Sequence, residues 1–98
     1  MVKAYISGRI TGLPYDEVER AFFGAEAVLE ALDYEVLNPL KNGLDRTASW
    51  REHMTADIAM LMQADVVFML PDWNESKGAR IEHYIANEMK KTVYYNGL

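Results

Sequence analysis

Apolar positions along this chain follow two rhythms that alternate with each other. Val2 to Ser7 alternates enough to predict a strand, which runs into the turn-rich Ser7-Gly-Arg-Ile-Thr-Gly12. From Tyr15 to Leu32 the spacing changes: Val18, Phe22, Ala25, Leu29 and Leu32 recur at three- and four-residue steps, the signature of an amphipathic helix. Asp16 and Glu17 sit at its positive end, where the helix dipole favours them. Tyr34 to Leu37 is a second short strand stopped by Asn38-Pro39, and 40–48 reads as loop. Ser49 with Glu52 three residues on has the form of a capping box and opens a helix through Gln63, with a stripe of Trp50, Met54, Ile58, Leu61 and Met62. Val66 to Leu70 is continuously apolar, as expected of a strand covered on both faces. A helix over about 77–90 and a last strand, Thr92 to Tyr95, complete the pattern.

Strand and helix alternate throughout, which implies right-handed crossovers and a parallel sheet. The expected fold is a single α/β domain spanning 1–98, a three-layer flavodoxin/Rossmann-like sandwich on a four- to five-stranded, mainly parallel sheet. In such folds ligands bind beyond the carboxyl ends of the strands, where the strand order reverses. The loops after the first and third strands, 7–14 and 71–77, are therefore the expected walls of a site.

Bulk composition narrows the function. Half of the 98 residues are hydrophobic and about a quarter charged, with no repeat or low-complexity tract. The formal charge of −5 argues against a binder of duplex nucleic acid, which needs a basic face for the phosphates. Without cysteine, no disulfide framework or thiolate metal site can form, and no metal site is read from His53 and His83. The chain starts directly with a strand-like segment and carries no apolar signal or spanning stretch of about twenty residues, so a cytoplasmic location away from the membrane is expected.

Two carboxylates stand out against this background. On the last predicted helix Gly78, Glu82, Ile85, Ala86 and Met89 share one side, which must face the sheet, and Glu82 is the charged member. Asp57 interrupts the preceding helix in the same way, seven residues after Trp50, three after Met54 and four before Leu61. Each has a structural alternative as an ion pair: Glu82 with Arg80, Asp57 with Arg51 or Arg80. If the two converge, each raises the other's proton affinity, leaving one ionised and one protonated near neutral pH. That equipment suits cleavage of a bond to an anomeric carbon, one carboxylate acting as nucleophile and the other managing protons or a hydroxyl.

The loops offer donors. Gly8 and Gly12 would let backbone amides approach a ligand, although Ser7 to Gly12 lacks the dinucleotide fingerprint and could be only a turn. Ser76-Lys-Gly78 opens the last helix, where free amides favour an anion and Ser76 is alternatively an N-cap. Trp73 could stack on a base or a sugar, and Tyr5 could hydrogen-bond to a ligand from the first strand. The methionines read as core filler.

Together, Tyr5-Ile-Ser-Gly-Arg-Ile-Thr-Gly12, Asn38-Pro39, Asp57-Ile with Ala64-Asp65, and Ser76-Lys-Gly-Ala-Arg-Ile-Glu82 make the chain similar, over nearly its whole length, to the nucleoside 2-deoxyribosyltransferase superfamily. The small members, deoxyribosyltransferase-like proteins and deoxynucleoside 5'-monophosphate N-glycosidases, are the ones it resembles. The resemblance implies that Glu82 attacks the anomeric carbon of a 2'-deoxynucleoside or its monophosphate, releasing the base and leaving a deoxyribosyl ester for another base or water. It further implies that Asp57 holds the sugar and assists proton movement, that Tyr5 hydrogen-bonds near the nucleophile, and that Ser7, Gly8, Arg9, Gly12, Ser76 and Gly78 hold the sugar's 5' end. No cofactor is implied. Homodimers or larger homo-oligomers are, with Asn96 as the candidate residue entering a neighbour's site. The loop Pro71-Asp-Trp-Asn-Glu75 and Lys90-Lys91, in place of a helix-ending glycine, depart from the larger transferases. The resemblance leaves transferase and hydrolase chemistry both open, beside a protein that binds or sequesters nucleotides without turnover and a small interaction domain with no pocket.

Overall fold

The computed structural model describes residues 1–95, so Asn96 lies outside the described residues. Four strands and three α-helices alternate: β1 (Lys3–Ser7), α1 (Tyr15–Ala31), β2 (Glu35–Leu37), α2 (Trp50–Gln63), β3 (Val66–Met69), α3 (Lys77–Glu88) and β4 (Thr92–Tyr95). Single 3-10 turns, Pro39–Lys41 and Trp73–Glu75, follow β2 and β3. The sheet is wholly parallel in the order β2-β1-β3-β4, so the chain steps one way from β1 to β2 and returns on the other side for β3. This is the α/β three-layer Rossmann-like sandwich expected from the alternation, and its order reverses between β1 and β3.

Strand periodicity divides the core. Ala4 and Ile6 of β1, with Val66 and Phe68 of β3, face α1 and pack on Val18, Phe22, Ala25 and Leu29. Tyr5, Val67 and Met69 face the opposite way, against Leu61 and Ala64 of the α2 end and Ala79 and Ala86 of α3. One helix covers the first face and two share the second. That sharing explains where the helical stripes fall short of expectation: α2 buries only Met54, Asp57 and Leu61, while Trp50, Met62 and, on α3, Met89 are exposed.

Local signals account for the element ends. Ser49 accepts from the Glu52 amide at 3.1 Å while Glu52 accepts from the Ser49 amide at 3.1 Å, a complete capping box. The last helix stops at Glu88 rather than continuing to 90 because Lys90 turns left-handed at φ 57, and Lys91 returns its amide to the Ala86 carbonyl. The Lys91 ammonium then reaches the Ala64 and Met62 carbonyls at the exposed end of α2, a use a glycine could not supply.

Gly8 marks a close approach. A Cβ there would lie 2.7 Å from Leu70 Cδ1 and 2.9 Å from its Cβ, so the chain leaving β1 presses on the chain leaving β3. Gly24, exposed in mid-α1, would meet nothing within 4 Å. In thermal or urea denaturation, Gly8→Ala should therefore lose about 1–3 kcal/mol by overpacking, and Gly24→Ala should gain about 0.5–1 kcal/mol by helix propensity. Equal stabilities for the two variants would refute this account of the β1 exit.

Candidate active site

Tyr5 and Ser7 stand two residues apart on β1, so both project onto the face that α2 and α3 cover. Glu82, in the second turn of α3, points back at them. The Tyr5 hydroxyl donates to its Oε2 at 2.9 Å and the Ser7 hydroxyl to its Oε1 at 2.6 Å, both bonds buried. Each carboxylate oxygen thus receives a donor, and Glu82 is only 5 % exposed. Two hydroxyl donors are suited to the ionised carboxylate, and either oxygen can also accept from the protonated acid.

Glu82 lies on the wall of a cavity of about 690 Å³ at the carboxyl end of β1. Tyr5, Gly8, Asp57, Ser76 and Gly78 line the same cavity, so the structure brings these sequence-derived candidates together with Glu82. Asp57 enters from α2, itself 5 % exposed, and its Oδ1 accepts from Asn42 Nδ2 at 2.8 Å. Among the described residues neither carboxylate is in a salt bridge; Arg80 instead donates to the Asn74 carbonyl. Gly78 allows α2 and α3 to meet, since a Cβ there would sit 3.0 Å from Met54 Sδ. Ser76 caps α3, accepting from the Ala79 amide at 3.2 Å, while also facing the cavity.

Burial dominates the titration of the pair. It pushes Glu82 up to about 7 against the lowering effect of the Ser7 and Tyr5 hydrogen bonds, with the Asp57 charge a smaller upward push. Burial likewise pushes Asp57 up to about 6, opposed by the Asn42 bond and by His53. The mutual repulsion expected from the sequence is present at Glu82 but secondary to desolvation. Tyr5 is held well above its usual range by burial and then by Glu82 and Asp57, which keeps its hydroxyl protonated and donating.

Four expected ligand residues, Ser7, Arg9, Gly12 and Trp73, are placed outside the cavity lining. Ser7 is fully buried behind Glu82 with its hydroxyl committed to that carboxylate, so it positions Glu82 and does not line the cavity. Arg9 and Gly12 do not line it either: the Arg9 Nη2 lies 3.3 Å from where a Gly12 Cβ would be, folded over that glycine, whose φ is +88. Trp73 faces away. The 3-10 turn that carries it, closed by the Trp73 amide on Leu70 and the Ser76 amide on Trp73, directs the indole to the outer side of α3, stacked on His83 at 4.2 Å. There it borders a separate shallow groove with Arg80 and Tyr84.

The wall expected from 71–75 is supplied instead by the segment after β2. Pro39, Leu40, Asn42 and the run from Leu44 to Ala48 line the cavity, joined by His53 of α2. Lys41 anchors this segment to the buried Glu26 of α1 at 2.9 Å, and Arg46 lies over the Tyr15 ring at 3.5 Å. Sequence reasoning passed over Asn42 and His53. One signal was available: His53 stands one helical turn before Asp57, on the same face.

The model of the family described as "Domain of unknown function (DUF4406)" matches residues 2–95, so the chain belongs to that family. No curated protein and no solved structure gives a significant match.

The raised carboxylates make stability depend on pH. Below about 4.5 Glu82 is protonated in both folded and unfolded chains; as pH rises, the unfolded chain ionises first and the folded state is progressively disfavoured until Glu82 itself ionises through about 7. Asp57 adds the same trend from 3.8 to about 6. Glu82→Gln, which keeps the shape and removes the charge, should lose less stability than the parent between pH 4 and 8, by on the order of 2–3 kcal/mol. Denaturation curves that stay parallel across that range would disprove the buried, upshifted carboxylate.

Proposed function

We propose that this member of the DUF4406 family cleaves, or transfers at, the N-glycosidic bond of a 2'-deoxynucleoside or its 5'-monophosphate, with Glu82 as nucleophile. The observation that carries the reading is one arrangement: a buried carboxylate held by two hydroxyls, opening onto a cavity whose wall bears a second carboxylate. The cavity volume of about 690 Å³ is in the range of small-molecule sites. The motif resemblance to the nucleoside 2-deoxyribosyltransferase superfamily supplies the substrate class.

In the proposed reaction an ionised Glu82 oxygen bonds to the anomeric carbon as the carbon–nitrogen bond breaks, and the bonding pair leaves with the base, which takes up a proton. Tyr5 and Ser7 keep the carboxylate aimed, and because both bonds are made in the resting protein little reorganisation remains for the chemical step. Water, or the nitrogen of an acceptor base, then attacks the ester carbon of the sugar; Glu82 leaves as carboxylate and the attacking group gives up a proton. Asp57, ionised above about 6, is suited to accept that proton or a sugar hydroxyl.

Incubation with a panel of deoxynucleosides and their 5'-monophosphates, with and without an acceptor base, should release free base on chromatography. The rate should rise with pH through about 7 as Glu82 ionises. Glu82→Gln should reduce turnover by about 10³-fold or more while retaining binding. Calorimetric binding with no base released would replace the enzyme with a nucleotide-sequestering protein, and turnover by Glu82→Gln equal to the parent would end the assignment.

A further inference from the structure

Asn42 is held on every side by groups of known polarity. Its Oδ1 accepts from the Leu44 amide at 3.0 Å, which fixes the amide's orientation, since a flipped amide would place its own donor against that N–H. Its Nδ2 faces two acceptors, Asp57 Oδ1 at 2.8 Å and His53 Nδ1 at 3.0 Å. An amide nitrogen carries two hydrogens, so both contacts are satisfied only if His53 Nδ1 is bare. The ring proton must then be on Nε2, where the Asp45 carbonyl lies at 3.0 Å to receive it. A consistent chain results: Asp45 carbonyl, His53, Asn42, Asp57.

We propose that Asn42, oriented by His53 in its Nε2–H tautomer, is the positioning residue that aims Asp57 into the cavity. The inference deepens the glycosidic-bond reading, because it assigns the two carboxylates different tasks before substrate arrives. Asp57, held by an amide donor, is set as the acceptor for a hydroxyl or proton, while Glu82 is held by the Tyr5 and Ser7 hydroxyls. The burial-driven rise of Asp57 is opposed first by the Asn42 bond, in accord with that role.

Charges around the relay are mixed. Asp57 is faced by Glu82 from α3 and Tyr5 from β1. His53 is faced by Asp45 from the loop, with Arg46 beside it, and by Glu52 and Asp57 from its own helix. Protonating His53 would set an N–H at Nδ1 against the Asn42 amino group. The relay therefore holds only with neutral imidazole.

Nuclear magnetic resonance of the full chain tests this without turnover. Long-range proton–nitrogen correlations of the imidazole near pH about 8 should show the His53 proton on Nε2 and Nδ1 bare. Aspartate carboxyl carbon shifts followed against pH should move the Asp57 midpoint up by about one pH unit in Asn42→Leu, which keeps the shape and removes the donor. His53→Gln keeps the acceptor and donor of the neutral ring and loses only the electrostatic effect of His53 on Asp57, so it should raise the Asp57 midpoint less than His53→Leu does. A proton on Nδ1 in the parent, or the same Asp57 midpoint in folded Asn42→Leu and parent, would overturn the proposal. The tautomer is read in the unaltered protein, so a variant that fails to fold leaves that test standing. If the resonances follow and no base is released, the positioning holds and the reaction assignment falls; the reverse outcome separates them the other way.

Discussion

The structure depends on burying one carboxylate without a counter-ion. Glu82 sits between the sheet and the α2–α3 layer, only 5 % exposed, and among the described residues no Lys or Arg pairs with it. An unpartnered ion in such a place is prohibitive, and a protonated acid would still need its polar atoms satisfied. Tyr5 and Ser7 meet that need from 77 and 75 residues away in sequence. The parallel arrangement, with β1 in the middle of the sheet, brings its carboxyl end under the second turn of α3. The close exits at Gly8 and the glycine contact at Gly78 follow from the same demand, because a bulkier residue at either point would push apart the elements that enclose the carboxylate.

A second consequence is the division of labour along β1. Ala4 and Ile6 face α1 and are ordinary core. Tyr5 and Ser7 face the other way and carry polar tips, so one strand contributes apolar packing on one side and hydrogen-bond donors on the other. In the sequence this appears only as a strand with an unusual tyrosine and serine. Alternation fixes which residues share a face, whereas the partner of those hydroxyls is a long-range fact that alternation does not contain.

The same distinction separates what could and could not be read from the chain. Element order, the capping box at Ser49, the doubly covered β3 and the inward placement of Glu82 and Asp57 all rest on local periodicity, and each is found where the pattern puts it. Stripes were read too wide, because periodicity gives a helix face but not how much of it a neighbouring helix leaves for the sheet; Trp50 and Met62 lie beyond that share. Trp73 was assigned to the pocket by its position after β3, yet a single 3-10 turn reverses where its ring points. The wall made by 39–48 was hidden because its order comes from contacts across the fold: Lys41 to Glu26, Arg46 over Tyr15, and Asn42 to Asp57. None of these has a sequence spacing that a local rule detects.

The two carboxylates also differ in the kind of support they receive, and this bears on how the site can act. Glu82 is fixed from the sheet by Tyr5 and Ser7, both fully buried. Asp57 is fixed from the segment after β2 by Asn42, whose neighbours Gly43 to Thr47 are exposed. A group held by the core keeps its aim whether or not a ligand is present. A group held by an exposed loop changes its environment when that loop shifts, and the loop's anchors at Glu26 and Tyr15 lie outside the carboxylate pair. The site thus joins one carboxylate held by the core to one held by a surface segment.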